Sequence, residues 1–108
     1  MSTTPFACNM NALSPEQRLR HGQLEKLLRS ALLAAHELSN GYDFEFPPHP
    51  AVPTALNEIT PLEHACCPFF NISIRVEPTG GLFWQLTGSE GVKQFIRMEF
   101  AEWFNALR

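Results

Sequence analysis

The residues whose chemistry core packing explains least are Cys66 and Cys67, in the stretch Pro61-Leu62-Glu63-His64-Ala65-Cys66-Cys67-Pro68-Phe69-Phe70. Thiolates and neutral imidazole are preferred ligands of Zn(II), Cu(I) and other soft ions, and an adjacent carboxylate can act as ligand or proton acceptor. On one helical segment Glu63 lies three residues before Cys66 and four before Cys67, and His64 lies three before Cys67, so all four fall at one end of that segment. A third thiol, Cys8, stands in a patternless N-terminal stretch with the thioether Met10 close behind it. A three-thiol site needs such a ligand from outside the helix. The candidate ligands are therefore Cys66, Cys67, Cys8, Glu63 and His64, and the candidate guest is a thiophilic ion such as Zn(II), Cu(I), Hg(II) or arsenite.

Two other readings compete with ion binding. Thiol redox or sulfur-transfer chemistry needs a depressed thiol pKa, which a helix N-terminus or nearby cations supply. Cys66 and Cys67 instead sit near a C-terminal end beside Glu63, and both features raise it. A bound cation would reverse that penalty by deprotonating the thiols. The plainest reading is packing, since free cysteine is among the most buried residue types; the chain is then a non-catalytic module, homodimerising through its aromatic-rich last helix. The paired C-x-x-C signature of structural zinc is absent.

Three cysteines is an odd count, and a trans peptide holds adjacent Cα atoms about 3.8 Å apart, below the usual disulfide window of about 4.4–6.8 Å. The expectation is three reduced thiols in a reducing compartment. His21 and His36 read as solvated or capping residues of the first helix, and His49 as exposed in a proline run.

The elements that must position these groups follow in order. Residues 1–13 read as a loop. Ser14, Pro15 and Gln17 open a helix with a capping box and proline at its first position, and Leu24, Leu27, Leu28, Ala31, Leu32, Ala34, Ala35 and Leu38 recur at helical spacing, which predicts a helix over 15–38 stopped by Ser39-Asn40-Gly41. Tyr42-Asp43-Phe44-Glu45-Phe46 alternates at period two, a strand with three rings on one face. A second helix carries Leu56, Ile59 and Leu62 inward; Thr60-Pro61-Leu62-Glu63 has the form of a fresh cap, which predicts a break or kink at Pro61. Residues 70–77 and 82–87 alternate on either side of Pro78-Thr79-Gly80-Gly81 and form a hairpin. Ser89 caps a last helix with a wide apolar band. The order α-β-α-β-β-α predicts an α+β domain with a three-stranded antiparallel sheet packed against helices. A right-handed crossover would set the first strand beside the last, as in a ferredoxin-like fold lacking its final strand.

With 108 residues, 44% of them hydrophobic and nine phenylalanines among them, the chain can bury one core, so residues 1–108 read as a single domain. A net charge of -3 leaves no electrostatic footprint for nucleic acid or anionic lipid. The N-terminus lacks the basic and apolar regions of a leader, and no run approaches the roughly 18 apolar residues of a membrane span. The protein is expected to be cytoplasmic.

Cys8 with Ala12-Leu13-Ser14 and Gln17-Arg18, Gly41-Tyr42, Leu62-Glu63 with Cys66-Cys67-Pro68-Phe69-Phe70, and Leu86-Thr87-Gly88 with Glu90-Gly91-Val92-Lys93 give the chain, over nearly its whole length, a resemblance to a family of small bacterial proteins of unassigned activity that carry an E-R-x-C-C-P-F motif. Members are often encoded near heavy-metal-responsive regulators, so the resemblance implies a metal-associated role. Glu63, Cys66, Cys67 and Cys8 carry over. His64 stands where the family has Arg, and Pro61 interrupts a helix that runs on in the family.

Overall fold

The computed structural model describes residues 6–107. Helix α1 (Pro15–Ala31) begins with the expected capping box: the Gln17 N–H donates to Ser14 Oγ (3.1 Å) and the Ser14 N–H to Gln17 Oε1 (2.8 Å). Strands β1 (Ala34–Leu38) and β2 (Gly41–Phe46) follow as a tight hairpin, then helix α2 (Ala51–Cys66), strands β3 (Asn71–Val76) and β4 (Leu82–Thr87), and helices α3 (Val92–Glu99) and α4 (Ala101–Ala106). The domain is α+β.

The sheet has four antiparallel-paired strands in the order β1-β2-β4-β3, not the three expected. The added strand comes from the end of the expected first helix. Ala34, Ala35 and Leu38 fit helical spacing, but each of residues 34–38 pairs with one of residues 41–45, and the ladder outweighs a weak local preference. Ser39-Asn40-Gly41, expected to stop a helix, is instead a hairpin connection, and the same residue types serve both purposes. Because β2 and β3 each run antiparallel to β4, they are parallel to one another with β4 between them, joined through α2.

Helix α2 runs unbroken through Pro61. Val52, Ala55, Leu56, Ile59, Glu63 and Cys66 form one buried stripe on both sides of the proline, and keeping that stripe in register offsets the hydrogen bond that proline cannot donate. Thr60 Oγ1 ties the turn before it, donating to the Leu56 carbonyl (2.7 Å) and accepting from Trp84 Nε1 (3.0 Å). The expected last helix is two, divided at Phe100, whose ψ of 29° leaves the helical region. That break lets Phe95 and Ile96 on α3 and Trp103 on α4 all reach the core.

Period two sorts the sheet as expected. Tyr42, Phe44, Phe46, Leu82, Trp84 and Leu86 are buried on the inner face, where Trp103 meets Phe44 and Trp84 at centroid distances of 5.2 and 5.8 Å. On the outer face Arg75 donates to Asp43 Oδ2 (2.8 Å) and stacks over Phe83 (4.5 Å). No helix among the described residues is long and apolar enough to cross a membrane.

Gly41 is required where β2 meets β4, because a Cβ there would lie 2.0 Å from the Leu86 carbonyl oxygen. Gly41→Ala must push the two strands apart, and should cost at least the roughly 1–3 kcal/mol of an overpacked core site; equilibrium denaturation of the variant against wild type measures it.

Candidate functional site

Cys66 is the last residue of α2, and Cys67 has left the helix with φ -128° and ψ 70° while its N–H still donates to the Glu63 carbonyl (2.8 Å). The two neighbours are both buried, each 1% exposed. That is unusual for adjacent residues of a helix, and it happens because Cys67 lies past the helix end, where its side chain no longer follows the helical rotation.

The N-terminal segment crosses this helix end. Asn9 donates its N–H to the Cys66 carbonyl (2.8 Å), one of the acceptors that a helix C-terminus leaves unpaired. Phe6 packs on Phe69 at 4.8 Å between ring centroids. Of the stretch expected to be a loop, residues 1–5 lie outside the described residues; residues 10–12 form a single 3-10 turn capped by Asn9.

Cys8, expected to reach the pair, does so as a disulfide partner: Cys8 and Cys67 are bonded, with Cα atoms 4.6 Å apart. The expectation of three thiols is corrected to one disulfide and one thiol, Cys66. An odd count accommodates one long-range pair, and sequence alone does not reveal which residues 59 positions apart meet. The argument from three reduced thiols to a reducing compartment falls with it. The Cys66 sulfur lies 3.7 Å from that of Cys67. Three sulfurs are thus gathered at one helix end.

Glu63, 5% exposed, faces inward beneath them. Its Oε1 lies 3.9 Å from the Cys67 sulfur, and its Oε2 accepts from His21 Nε2–H of α1 (2.6 Å). His21, expected to be a solvated or capping residue, is therefore the partner that makes a buried carboxylate tolerable. The spacing did hold a signal: His21 lies three residues before Leu24 and seven before Leu28, on the buried stripe of α1. His64 goes the other way. It is exposed and lines a separate surface cleft with Thr60, Pro61 and Asn71. One residue along a helix is a rotation of about 100°, so Glu63 facing inward turns His64 outward, and the spacing that linked His64 to Cys67 fails once Cys67 leaves the helix. Among the described residues, the His, Cys and carboxylate side chains that converge are His21, Glu63 and Cys66, with one ligand atom from each within 4.8 Å of the others. Met10 lies at the surface.

The electrostatics favour the protonated forms of Cys66 and His21. Burial, and then the Glu63 charge, push the Cys66 thiol up to about 11 from 9.0, so at neutral pH it is a thiol that donates to the Glu63 carbonyl (3.5 Å). His21 is raised above its ordinary 6.5, chiefly by its hydrogen bond to Glu63, with burial opposing.

These shifts have definite signs. Since folding raises the Cys66 pKa, the native state holds that proton more tightly than the unfolded chain; the Cys66 contribution to stability should be complete below pH 9 and fall as pH rises from 9.0 towards about 11. For His21 the stabilisation is complete below pH 6.5 and is lost as pH rises through its higher folded value. An NMR titration should place His21 above 6.5 and find it lower in Glu63→Gln. Closing a 59-residue loop should make the oxidised form more stable than the reduced by about 2–4 kcal/mol, measured by denaturation with and without a thiol reductant.

Compared with known proteins, the chain matches no protein-family model, no curated protein and no solved structure.

Proposed function

We propose that the protein binds a thiophilic metal or metalloid ion through Cys8, Cys66 and Cys67 once the disulfide is reduced. The observation that carries this reading is the convergence of three sulfurs from two remote parts of the chain, with Cys66 and Cys67 3.7 Å apart and Cys8 bonded to Cys67. Reduction by a dithiol converts Cys8–Cys67 to two thiols and the reductant to its disulfide. The three thiols then form a soft donor set of the kind that Zn(II), Cu(I), Hg(II) and arsenite favour. Glu63 stands near enough to take a thiol proton as the ion binds. The resemblance to the E-R-x-C-C-P-F proteins points the same way, and a cytoplasmic setting would keep the disulfide open.

The disulfide itself favours a second reading, thiol–disulfide exchange. In that step Cys66 would attack the Cys67 sulfur and expel Cys8 as the leaving thiolate. A thiol raised to about 11 supplies little nucleophile at neutral pH, and the product would join adjacent residues, whose Cα spacing of about 3.8 Å is unfavourable. Ion binding is the better use of the same atoms. A dimer built on the last helix has less to draw on, because Phe95, Phe100 and Trp103 are buried in the chain's own core.

Under reducing conditions, competitive titration should find one soft ion per chain. Cys66→Ser and Cys67→Ser should abolish tight binding, and Cys8→Ser should weaken it. A metal cation must displace thiol protons, so its affinity should rise with pH; arsenite takes them up as water and should show a flat profile. If reduced wild type takes up no soft ion at micromolar concentration, and the serine variants only melt earlier, the reading is wrong.

A further inference from the structure

The cluster of His21, Glu63 and Cys66 shares one sulfur ligand, Cys66, with the three-sulfur site, where Glu63 serves only as proton acceptor, and it exists with the disulfide closed. We propose that these three side chains form a second ion site, with one nitrogen, one oxygen and one sulfur ligand, that takes a borderline divalent cation such as Zn(II) while Cys8 and Cys67 are bonded. It stands whether or not the reduced protein binds a soft ion.

The geometry is close to what such an ion needs. Zinc bonds of about 2.0–2.3 Å set tetrahedral ligand atoms roughly 3.3–3.7 Å apart. His21 Nε2 and Glu63 Oε2 are 2.6 Å apart around a shared proton, and the ligand atoms of all three residues lie within 4.8 Å. The first pair must open by about 1 Å and the sulfur must close by a similar amount, adjustments on the scale of side-chain torsions. The ion would take the place of the shared proton. The protons of Cys66 and of the His21–Glu63 pair pass to solvent as it enters.

The ligands come from two helices that pack on each other, His21 from α1 and the other two from α2, so the site is held by the scaffold rather than by a loop. His21 and Glu63 also line a cavity of about 100 Å³ together with Glu25, Glu99, Trp84 and Trp103. That volume admits several waters, since about 10–15 Å³ suffices for one. Three protein ligands would leave a fourth tetrahedral position for a water, the pattern of a catalytic rather than a structural zinc site. Glu25 and Glu99 add negative charge that favours a cation. The plainer account is that His21 only neutralises Glu63, and it predicts no ion.

Co(II) is the probe, because a thiolate ligand gives it a near-ultraviolet charge-transfer band whose intensity reports how many thiolates are bound. Protein purified without reductant, with one thiol per unfolded chain, should bind one Co(II) with the band of a single thiolate, and Zn(II) should displace it. Cys66→Ser should lose the band. His21→Gln keeps a hydrogen-bond donor to Glu63 and removes the imidazole. Its Co(II) affinity should fall at least as far as the roughly 10–100-fold that losing an outer-shell partner costs. The same variant, reduced, should keep any soft-ion uptake by the three sulfurs, and a single cooperative melting transition of its metal-free form, below that of wild type, shows that it folds. Absence of the band in the disulfide form of wild type overturns the site, as does a His21→Gln variant that binds Co(II) as tightly as wild type.

Discussion

A carboxylate that is 5% exposed cannot stand alone in this interior, and the hydrogen bond from His21 to Glu63 is the interaction on which the rest of the molecule turns. Removing one member of such a buried pair typically costs about 3–5 kcal/mol, because the other is left without compensation. The pair joins α1 to α2, as the Arg20–Glu58 pair does at the surface. It also sets the field at the sulfur cluster: the Glu63 charge reinforces burial in keeping Cys66 protonated. Under the ion-binding reading proposed above, a bound cation would offset the cost of that deprotonation.

The sheet and the last two helices serve this arrangement from below. Trp84 and Trp103 fill the space between β4 and α4, and each spends its indole N–H on a helix that frames the site, Trp84 on Thr60 of α2 and Trp103 on Glu25 of α1 (3.0 and 2.7 Å). The rings thus do two jobs at once, burying apolar area and locating α1 and α2 by directed hydrogen bonds. Through Trp103, Glu25 is held at the wall of the cavity that His21 and Glu63 also line.

The N-terminal segment closes the site from outside. Asn9 caps the end of α2, and Cys8 is bonded to Cys67 just beyond it, so the same few residues satisfy an orphan carbonyl and deliver the third sulfur. With that bond closed, Cys66 is the free thiol, beside Glu63 and His21.

Much of this was legible in the chain itself. Period-two alternation assigned 42–46, 70–77 and 82–87 to strands, because side-chain direction in a strand follows from local geometry alone. The Ser14 cap opened α1 where it was expected, and the Cys66-Cys67 pair with Glu63 stood out as polar chemistry among phenylalanines. Residues 34–38 read as helix because spacing and propensity are local, and only the partner strand supplies the ladder that makes them β1. Pro61 read as a break because its missing N–H is local, whereas the stripe that carries α2 through it is made by contacts with the core. His64 and His21 exchanged roles for the same reason: which histidine meets Glu63 depends on how α1 docks on α2 and on where α2 ends. The sequence by itself determined which chemical groups the protein has and the alternation that builds its sheet. Tertiary structure alone decided the Cys8–Cys67 bond and the His21–Glu63 pair, since each joins residues more than 40 positions apart that no local rule connects.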